Sequence, residues 1–335
     1  MFCAIALFFP ALVQGDATRW QIGSKPTAAW LSGQPGRDIA WEWMKDVDAL
    51  VEAGGVGVAR GTVFYVDGNK STAGDGLSWN TAFNTLAAGL AASDADMAVS
   101  ASRKWAGRNV VLCMGDGNAL EEDLVLLAQK TDVIGVGNNN PYNKCGLKGN
   151  HIIPDTEAAP SCRFFNFQFW GDQAGIVWDV DTQSGLEFHN CIFQANASAT
   201  IGIEINNCPH LKLINNWFGS ADGQDFTSSA IAVPQDATGA ICIEIAGNKI
   251  HSNAIGINWD ETTNVDCWIV GNYFFTATMC IDAEDVTEVM VVDNRMITLV
   301  EPADNTSNDF NIAYALNNMV TGASTTLYIP TFTDD

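Results

Sequence analysis

The chain has 335 residues, with Lys+Arg at 16 against Asp+Glu at 39 and a formal net charge of −23. Such a surface repels nucleic acid and anionic membrane, which both need Lys and Arg to displace counterions, and it disfavours acidic polysaccharides unless a metal bridges them. Only 16% of residues are charged and 47% are hydrophobic, which argues against disorder and suits strands joined by turns.

Residues 1–15, MFCAIALFFPALVQG, have the apolar length of a signal h-region but lack a positive n-region. The other reading is an apolar arm that packs against something else. The run is too short to span a bilayer comfortably. Between 16 and 60, Ile39, Trp43, Val47, Leu50 and Val51 share one face at helical spacing, and Gly54-Gly55 ends the run. Trp20, Trp30, Trp41 and Trp43 crowd this segment. They form either a small local core or the aromatic anchors of a docking arm, because interface cores are enriched in Trp.

The nine cysteines are scattered singly, without a C-x-x-C pair. They give no zinc signature and no disulfide framework. They read as small buried hydrophobes in a chain that folds in a reducing compartment.

In FYVDGNKSTAGDGLSWNTAFNTL, residues 64–86, Asp67, Asn69, Ser71 and Asp75 suggest calcium ligands. The spacing fails. An EF-hand loop needs Gly at its sixth position and an acid at its twelfth, and those places hold Thr72 and Ser78. No metal and no cofactor is expected. A helix is expected over 79–93, with Phe83, Leu86, Ala87 and Leu90 as its apolar face and Asn80 or Ser78 as its cap. Strand signals follow: RNVVLCM, DLVLLA, TDVIGVG, CRFFNFQF and GLEFHNCIF.

The chain then repeats. LEFHNCIF (186–193), LKLINNWF (211–218), IEIAGNKI (243–250), WIVGNYF (268–274, shifted by one) and VMVVDNRM (289–296) align in columns. One apolar column holds Phe188, Leu213, Ile245, Ile269 and Val291; another holds Phe193, Phe218, Ile250, Phe274 and Met296. Between them lie Asn190, Asn215, Gly247, Gly271 and Asp293, and next to these Cys191, Asn216, Asn248, Asn272 and Asn294. CRFFNFQF (162–169) is an earlier copy, with Phe167 in the Asn column. A second motif alternates with the first: GIVW (175–178), GIEI (202–205), AIAV (230–233), GINW (256–259) and CIDA (280–283). This alignment puts Trp178 and Trp259 in one column.

The physical solution is a solenoid of parallel strands, each coil stacked on the last at about 4.8 Å. The columns become interior ladders. Asn190, Asn215, Asn216, Asn248, Asn272 and Asn294 are expected to form a structural ladder, since Asn tolerates the αL corner and its amide can bond the coils above and below.

Here the chain resembles the right-handed parallel β-helix superfamily, the pectate-lyase-like fold. The resemblance covers about 61–298 and is sharpest at FYVD…GDGLSWNTAFNTLAAGLAAS, NVVLCMGDG and TDVIGVG. It implies an all-β solenoid with a helix capping its open end. The expected organisation is an arm and docking segment at 1–60, the β-helix at 61–298 and C-terminal strands or a cap at 299–335.

The superfamily holds enzymes and non-enzymes, so fold alone does not decide. Its polygalacturonase-like members carry Asn-Thr-Asp, Asp-Asp and Gly-His-Gly motifs. Here Asn80-Thr81-Ala82 lacks the acid, and His151, His189, His210 and His251 lack the glycine flanks. Its pectate-lyase-like members use an Arg base, and no Arg lies between Phe164 and Asp293. Asp179/Asp181, Asp222/Asp225 and Asp282/Glu284 are paired carboxylates that face either a groove or simply solvent. Trp178, Trp217, Trp259 and Trp268 are either sugar-stacking platforms or core.

GDATRWQIGSKPTAAWL, residues 15–31, resembles the starts of tailed-phage structural proteins. The reading is a non-enzymatic virion protein, either a capsid decoration, a fibre or a tail spike. It would be anchored through its N-terminal segment on capsid or tail proteins. The resemblance implies a homotrimer, with NIAYALNNM and TTLYIPTF available for subunit contact and a host-surface glycan as a possible ligand. Nucleic acid and membrane are not expected partners. The alternative is a secreted polysaccharide lyase or hydrolase, or a glycan-binding adhesin.

Overall fold

The structure is a computed structural model. It describes residues 61–99, 107–115, 119–136, 145–154, 160–171, 174–181, 183–195, 199–219, 225–235, 240–252, 254–283, 287–298, 301–304, 311–316 and 319–322. Internal contacts divide the chain into Met1–Arg60 and Gly61–Asp335. The helix expected around Ile39 to Val51 and the docking candidates Trp20, Trp30, Trp41 and Trp43 lie outside the described residues.

From Gly61 onward the chain is a parallel β-helix. Three sheets of ten, nine and seven strands run along it, and every pairing between their strands is parallel. One coil shows the plan. Gly175–Asp181 lies in the third sheet, Glu187–His189 in the first and Ile192–Gln194 in the second. The next coil repeats it with Ala199–Asn206, Lys212–Ile214 and Trp217–Phe218. The sheets continue past Thr298 through Glu301–Asp304, Asn311–Leu316 and Met319–Gly322.

Alternation decides which side chains enter the core. Phe188, Leu213, Ile245, Ile269 and Val291 are successive register partners in the first sheet, and all are buried. Phe193, Phe218, Ile250, Phe274 and Met296 do the same in the second. Two pairs of Phe on consecutive coils stack their rings. Phe193 and Phe218 lie 4.5 Å apart at 6°, and Phe164 and Phe188 lie 5.3 Å apart at 14°.

The turn between the first and second sheets divides its work between two adjacent columns. Asn166, Asn190, Asn215 and Asp293 have φ of 64°, 53°, 54° and 55°, and Gly247 and Gly271 take the same place with φ of 66° and 64°. Asn and Asp are the side chains that tolerate this left-handed region best. Asn190 and Asn215 are exposed corner residues, and this corrects their expected place in the buried ladder. That ladder runs through the next column. Asn216 Oδ1 accepts from Cys191 N at 2.8 Å, Asn248 Oδ1 from Asn216 N at 2.8 Å, Asn272 Oδ1 from Asn248 N at 2.8 Å and Asn294 Oδ1 from Asn272 N at 2.9 Å. Each Nδ2 donates to a core-strand carbonyl of the preceding coil, those of Phe188, Leu213, Ile245 and Ile269. A second left-handed corner, between the third and first sheets, runs through Ser161, Gly185, His210, Cys242 and Asp266. Its mixed residue types gave no sequence signal.

The helix begins later than expected. It spans Leu86–Val99, and only a 3₁₀ turn occupies Trp79–Thr81, capped by Ser78. Phe83 precedes the helix and bridges to Val66. The true cap comes from far away in sequence. Glu122 accepts from Leu86 N at 2.6 Å and from Ala87 N at 2.9 Å, which places a carboxylate at the positive end of the helix dipole. Leu86, Leu90 and Met97 are fully buried. Gly89 permits the close approach to the first coil, because a Cβ there would lie 2.7 Å from Val66 Cγ2. DLVLLA forms no strand, although Leu124, Leu127 and Ala128 are buried.

The second motif repeats with a register the tetrapeptide alignment missed. Trp178 pairs with Ile203, and Trp259 pairs with Val233, so the two tryptophans occupy neighbouring inward columns instead of one. A shift of two residues keeps the same face inward, so the apolar pattern cannot fix it. Both side chains are core.

Replacing Asn248 with Leu leaves Asn216 N and Leu213 O without their partners. The expected cost is about 1–3 kcal/mol, measured by denaturant unfolding. Unchanged stability would refute the ladder.

Candidate functional site

With the interior fixed by the ladders, function belongs to the outward columns. The opening loop is not among them. Asp67 Oδ1 accepts from Asn69 N and Asp75 Oδ1 from Leu77 N, each at 3.0 Å, so both acids turn the chain. Thr81 and the Leu77 amide hold the Asp75 carboxyl below its ordinary value. A cavity of about 230 Å³ beside the loop is lined by Gly68, Asn84, Thr85, Glu121 and Glu122. Glu122 is already committed to the helix cap. No group of three or more metal-ligating side chains occurs among the described residues.

The third sheet carries the paired carboxylates. Asp179 and Glu204 are register neighbours on consecutive coils, and Asp181 neighbours Asn206. Asn206 Nδ2 donates to Asp179 Oδ1 at 3.0 Å and to Glu204 Oε1 at 3.3 Å. Burial raises the Asp179 carboxyl, opposed by the Asn206 bond and reinforced by the charge of Asp181. Burial also raises Glu204, with Asn206 again opposing and Asp179 reinforcing. Further along, Asn258 pairs with Asp282 in register and donates to Asp260 Oδ2 at 2.9 Å. Of the other expected pairs, Asp222 and Glu284 lie outside the described residues, and Asp225 contacts His251. Two carboxyls pushed up in this way match the requirement for general acid–base work, though ion-pair networks produce the same shifts.

Behind this face, His151 is fully buried in the column of Trp178, their rings 4.5 Å apart. Burial pushes it down to about 3 and holds it neutral. It is core and is not a candidate base.

The first sheet presents a different outer column. Asp132, Arg163, Glu187, Lys212 and Glu244 are successive register partners of alternating sign. Asp132 accepts from Arg163 Nε at 2.7 Å and from Arg108 Nε at 2.8 Å, and Lys212 meets Glu244 at 3.1 Å. Beside this ladder runs an outward column that is apolar except at His189: Leu112, Ile134, Phe165, His189 and Ile214.

The second sheet presents Trp217, Lys249, Tyr273 and Arg295 in one column. Its second outward column holds His251 and Phe275, stacked 4.7 Å apart at 19°. Sequence reading singled out Trp217 alone. The signal was available one position beyond the Asn column. Trp268, 44% exposed, stands on the first sheet in register with Glu244.

No family model and no curated protein matches the sequence. Among solved structures, the A-module of a mannuronan C-5 epimerase from Azotobacter vinelandii is 10% identical, with 70% of this chain and 83% of that one covered and a TM-score of 0.41. The pectate lyase Pel9A is 12% identical, with 80% of each chain covered and a TM-score of 0.41. A tailspike protein of E. coli bacteriophage HK620 is 10% identical, with 72% of this chain and 59% of that one covered and a TM-score of 0.35.

Glu204 gives a pH-dependent prediction. A carboxyl raised on folding contributes stability that is present below its unfolded value and lost as pH rises through its folded value. Glu204→Gln is therefore expected to raise the thermal midpoint at pH 7. That gain should vanish as pH falls below the ordinary Glu range of about 4.3. A gain that persists at acid pH would contradict the electrostatic cause.

The chain folds as a parallel β-helix.

Proposed function

We propose that this chain is a non-catalytic virion structural protein of a tailed phage, anchored through residues 1–60 and exposing an acidic β-helix. The observation that carries the reading is the state of the thiols. Eight described cysteines are free and seven of them are buried. Burial pushes Cys162 up to about 12 and Cys267 and Cys280 up to about 11, so they serve as inert packing. Cys113 and Cys145 bring their sulfurs within 3.6 Å without a bond. A chain assembled in host cytoplasm keeps such a pair reduced, whereas a secreted one would expose it to oxidation. The outward, largely apolar column of the first sheet would suit contact between copies in a homotrimer. The four tryptophans of the arm suit docking on capsid or tail proteins.

A second reading, a polysaccharide-cleaving enzyme or adhesin, is favoured by Asp179 and Glu204 on the third sheet. The two separate experimentally. Peptides of this chain are expected by mass spectrometry in purified particles. Deleting residues 1–35 should abolish incorporation while leaving the far-UV circular dichroism of the solenoid intact, and retained incorporation would remove the docking arm from the proposal. Incubation with a polysaccharide panel should yield no new reducing ends and no unsaturated products. Products that disappear in Glu204→Gln would decide for the enzyme.

A further inference from the structure

We infer that Cys113 and Cys145 are an oxidative modification site, a thiol pair that closes into a disulfide when the chain meets a low-molecular-weight disulfide and so staples the first coils of the solenoid together. This goes beyond the virion reading and does not depend on it. The pair is reduced as assembled and closes afterwards.

Geometry is the first argument. Cys113 lies on Asn109–Met114 of the first sheet and Cys145 on Cys145–Lys148 of the second. Their sulfurs stand 3.6 Å apart, with the Cys145 thiol donating to Cys113. A disulfide needs about 2.05 Å, so the sulfurs must close by about 1.5 Å, within reach of small side-chain rotations. Gly135 makes the meeting possible. It is the register partner of Cys113, and a Cβ there would lie 2.8 Å from Cys145 Cβ. Other buried thiols are spent differently. Cys191, Cys208 and Cys267 donate to the backbone carbonyls of His189, Val180 and Ala240.

The place of the pair is the second argument. The buried amides that tie later coils together begin at Asn216. Before them the same column holds Cys145, Phe167 and Cys191, which cannot bond the backbone of the neighbouring coil as an amide does. A Cys113–Cys145 bond would supply a covalent tie at the end of the stack that lacks amide ties. It would also close a loop between residues 32 apart. That loop contains Glu122, whose carboxylate caps the helix at Leu86 and Ala87. Stabilisation by such a loop grows with its length, and an end coil is where a solenoid starts to unravel.

The chemistry balances with oxidised glutathione as co-reactant. One protein thiolate attacks a glutathione sulfur and expels a glutathione thiolate. The second protein thiolate attacks the protein sulfur of the mixed disulfide and expels the other glutathione. The two protein thiols lose two electrons and two protons, and glutathione leaves as two thiols. In the closed coil the reaction is slow. The bond from Cys145 and burial both push the Cys113 thiol up, and both residues are buried. Exchange therefore proceeds through local opening of the corner.

The test uses the full chain, purified reduced and incubated with oxidised glutathione in native buffer and in sub-denaturing urea. Peptide mapping without reductant is expected to show Cys113 joined to Cys145, sooner in urea. The thermal midpoint should rise by about 5 °C or more and return when dithiothreitol is added. Cys145→Ala should show neither the linked peptide nor the rise. Reversal by reductant in the unmutated chain tests the staple without that variant. The inference is overturned if both thiols stay fully alkylatable in native buffer and in urea, or if either is found joined to a different cysteine. A linked pair whose midpoint is unchanged or lower would also overturn it, as would an equal rise in Cys145→Ala.

Discussion

The structure depends on the corner between the first and second sheets. A chain that turns sharply inside a packed stack must place backbone N–H and C=O groups where no strand can reach them. The buried amides of Asn216, Asn248, Asn272 and Asn294 meet that demand twice per coil, accepting one N–H and donating to one C=O of the coil before. Each bond crosses between coils, so the ladder also sets how each coil sits on the last. The left-handed residue just before each amide completes the turn. At Phe167 the ladder gives way to aromatic packing, and Phe167 and Phe169 stack at 9°. The earlier coils fill this column with Cys145, Phe167 and Cys191 where the later ones carry amides.

A fixed corner fixes the register, and the register fixes the surface. Every outward residue then belongs to a column at the strand spacing. Three faces of different chemistry result from one rule: alternating charge on the first sheet, rings with cations on the second and carboxylates with amides on the third. The first face illustrates the electrostatics. Arg163 is raised chiefly by its bond to Asp132, and Glu187 is lowered chiefly by its bond to His189, whose Nε2 lies 2.7 Å away. These groups are partly exposed, so their contribution to stability is modest.

The parts of this fold that were legible in the sequence are those in which one residue type answers one recurring demand. The Phe188-to-Val291 column and the Asn column could be aligned by eye for that reason. Three features were not legible. The helix start was hidden because its cap, Glu122, lies 36 residues from Leu86. The two-residue offset of Trp178 was hidden because alternation repeats every two residues. The second left-handed corner was hidden because Ser, Gly, His, Cys and Asp all occupy it. The outward faces were a different case. Trp217, Lys249, Tyr273 and Arg295 stood in the alignment, but a column of unlike residues does not announce itself as a column.

The contrast between the first and third sheets bears on where selection has acted for something other than folding. On the first sheet the chain alternates sign coil by coil, so its acidity does not force like charges to stack. On the third sheet Asp179 and Glu204 do stack, and both carboxyls are raised chiefly by burial, with Asp181 adding to the rise at Asp179 and Asp179 to that at Glu204. Like charges directly opposite in a sheet are destabilising, and exchanging either carboxylate for a neutral residue would relieve that cost. Asn206 softens the repulsion by bonding both acids, and in doing so it holds them side by side. A local rule broken on one face and obeyed on the next is the pattern expected where binding or chemistry sets the sequence. The third sheet therefore has a claim to function that rests on its energetic cost.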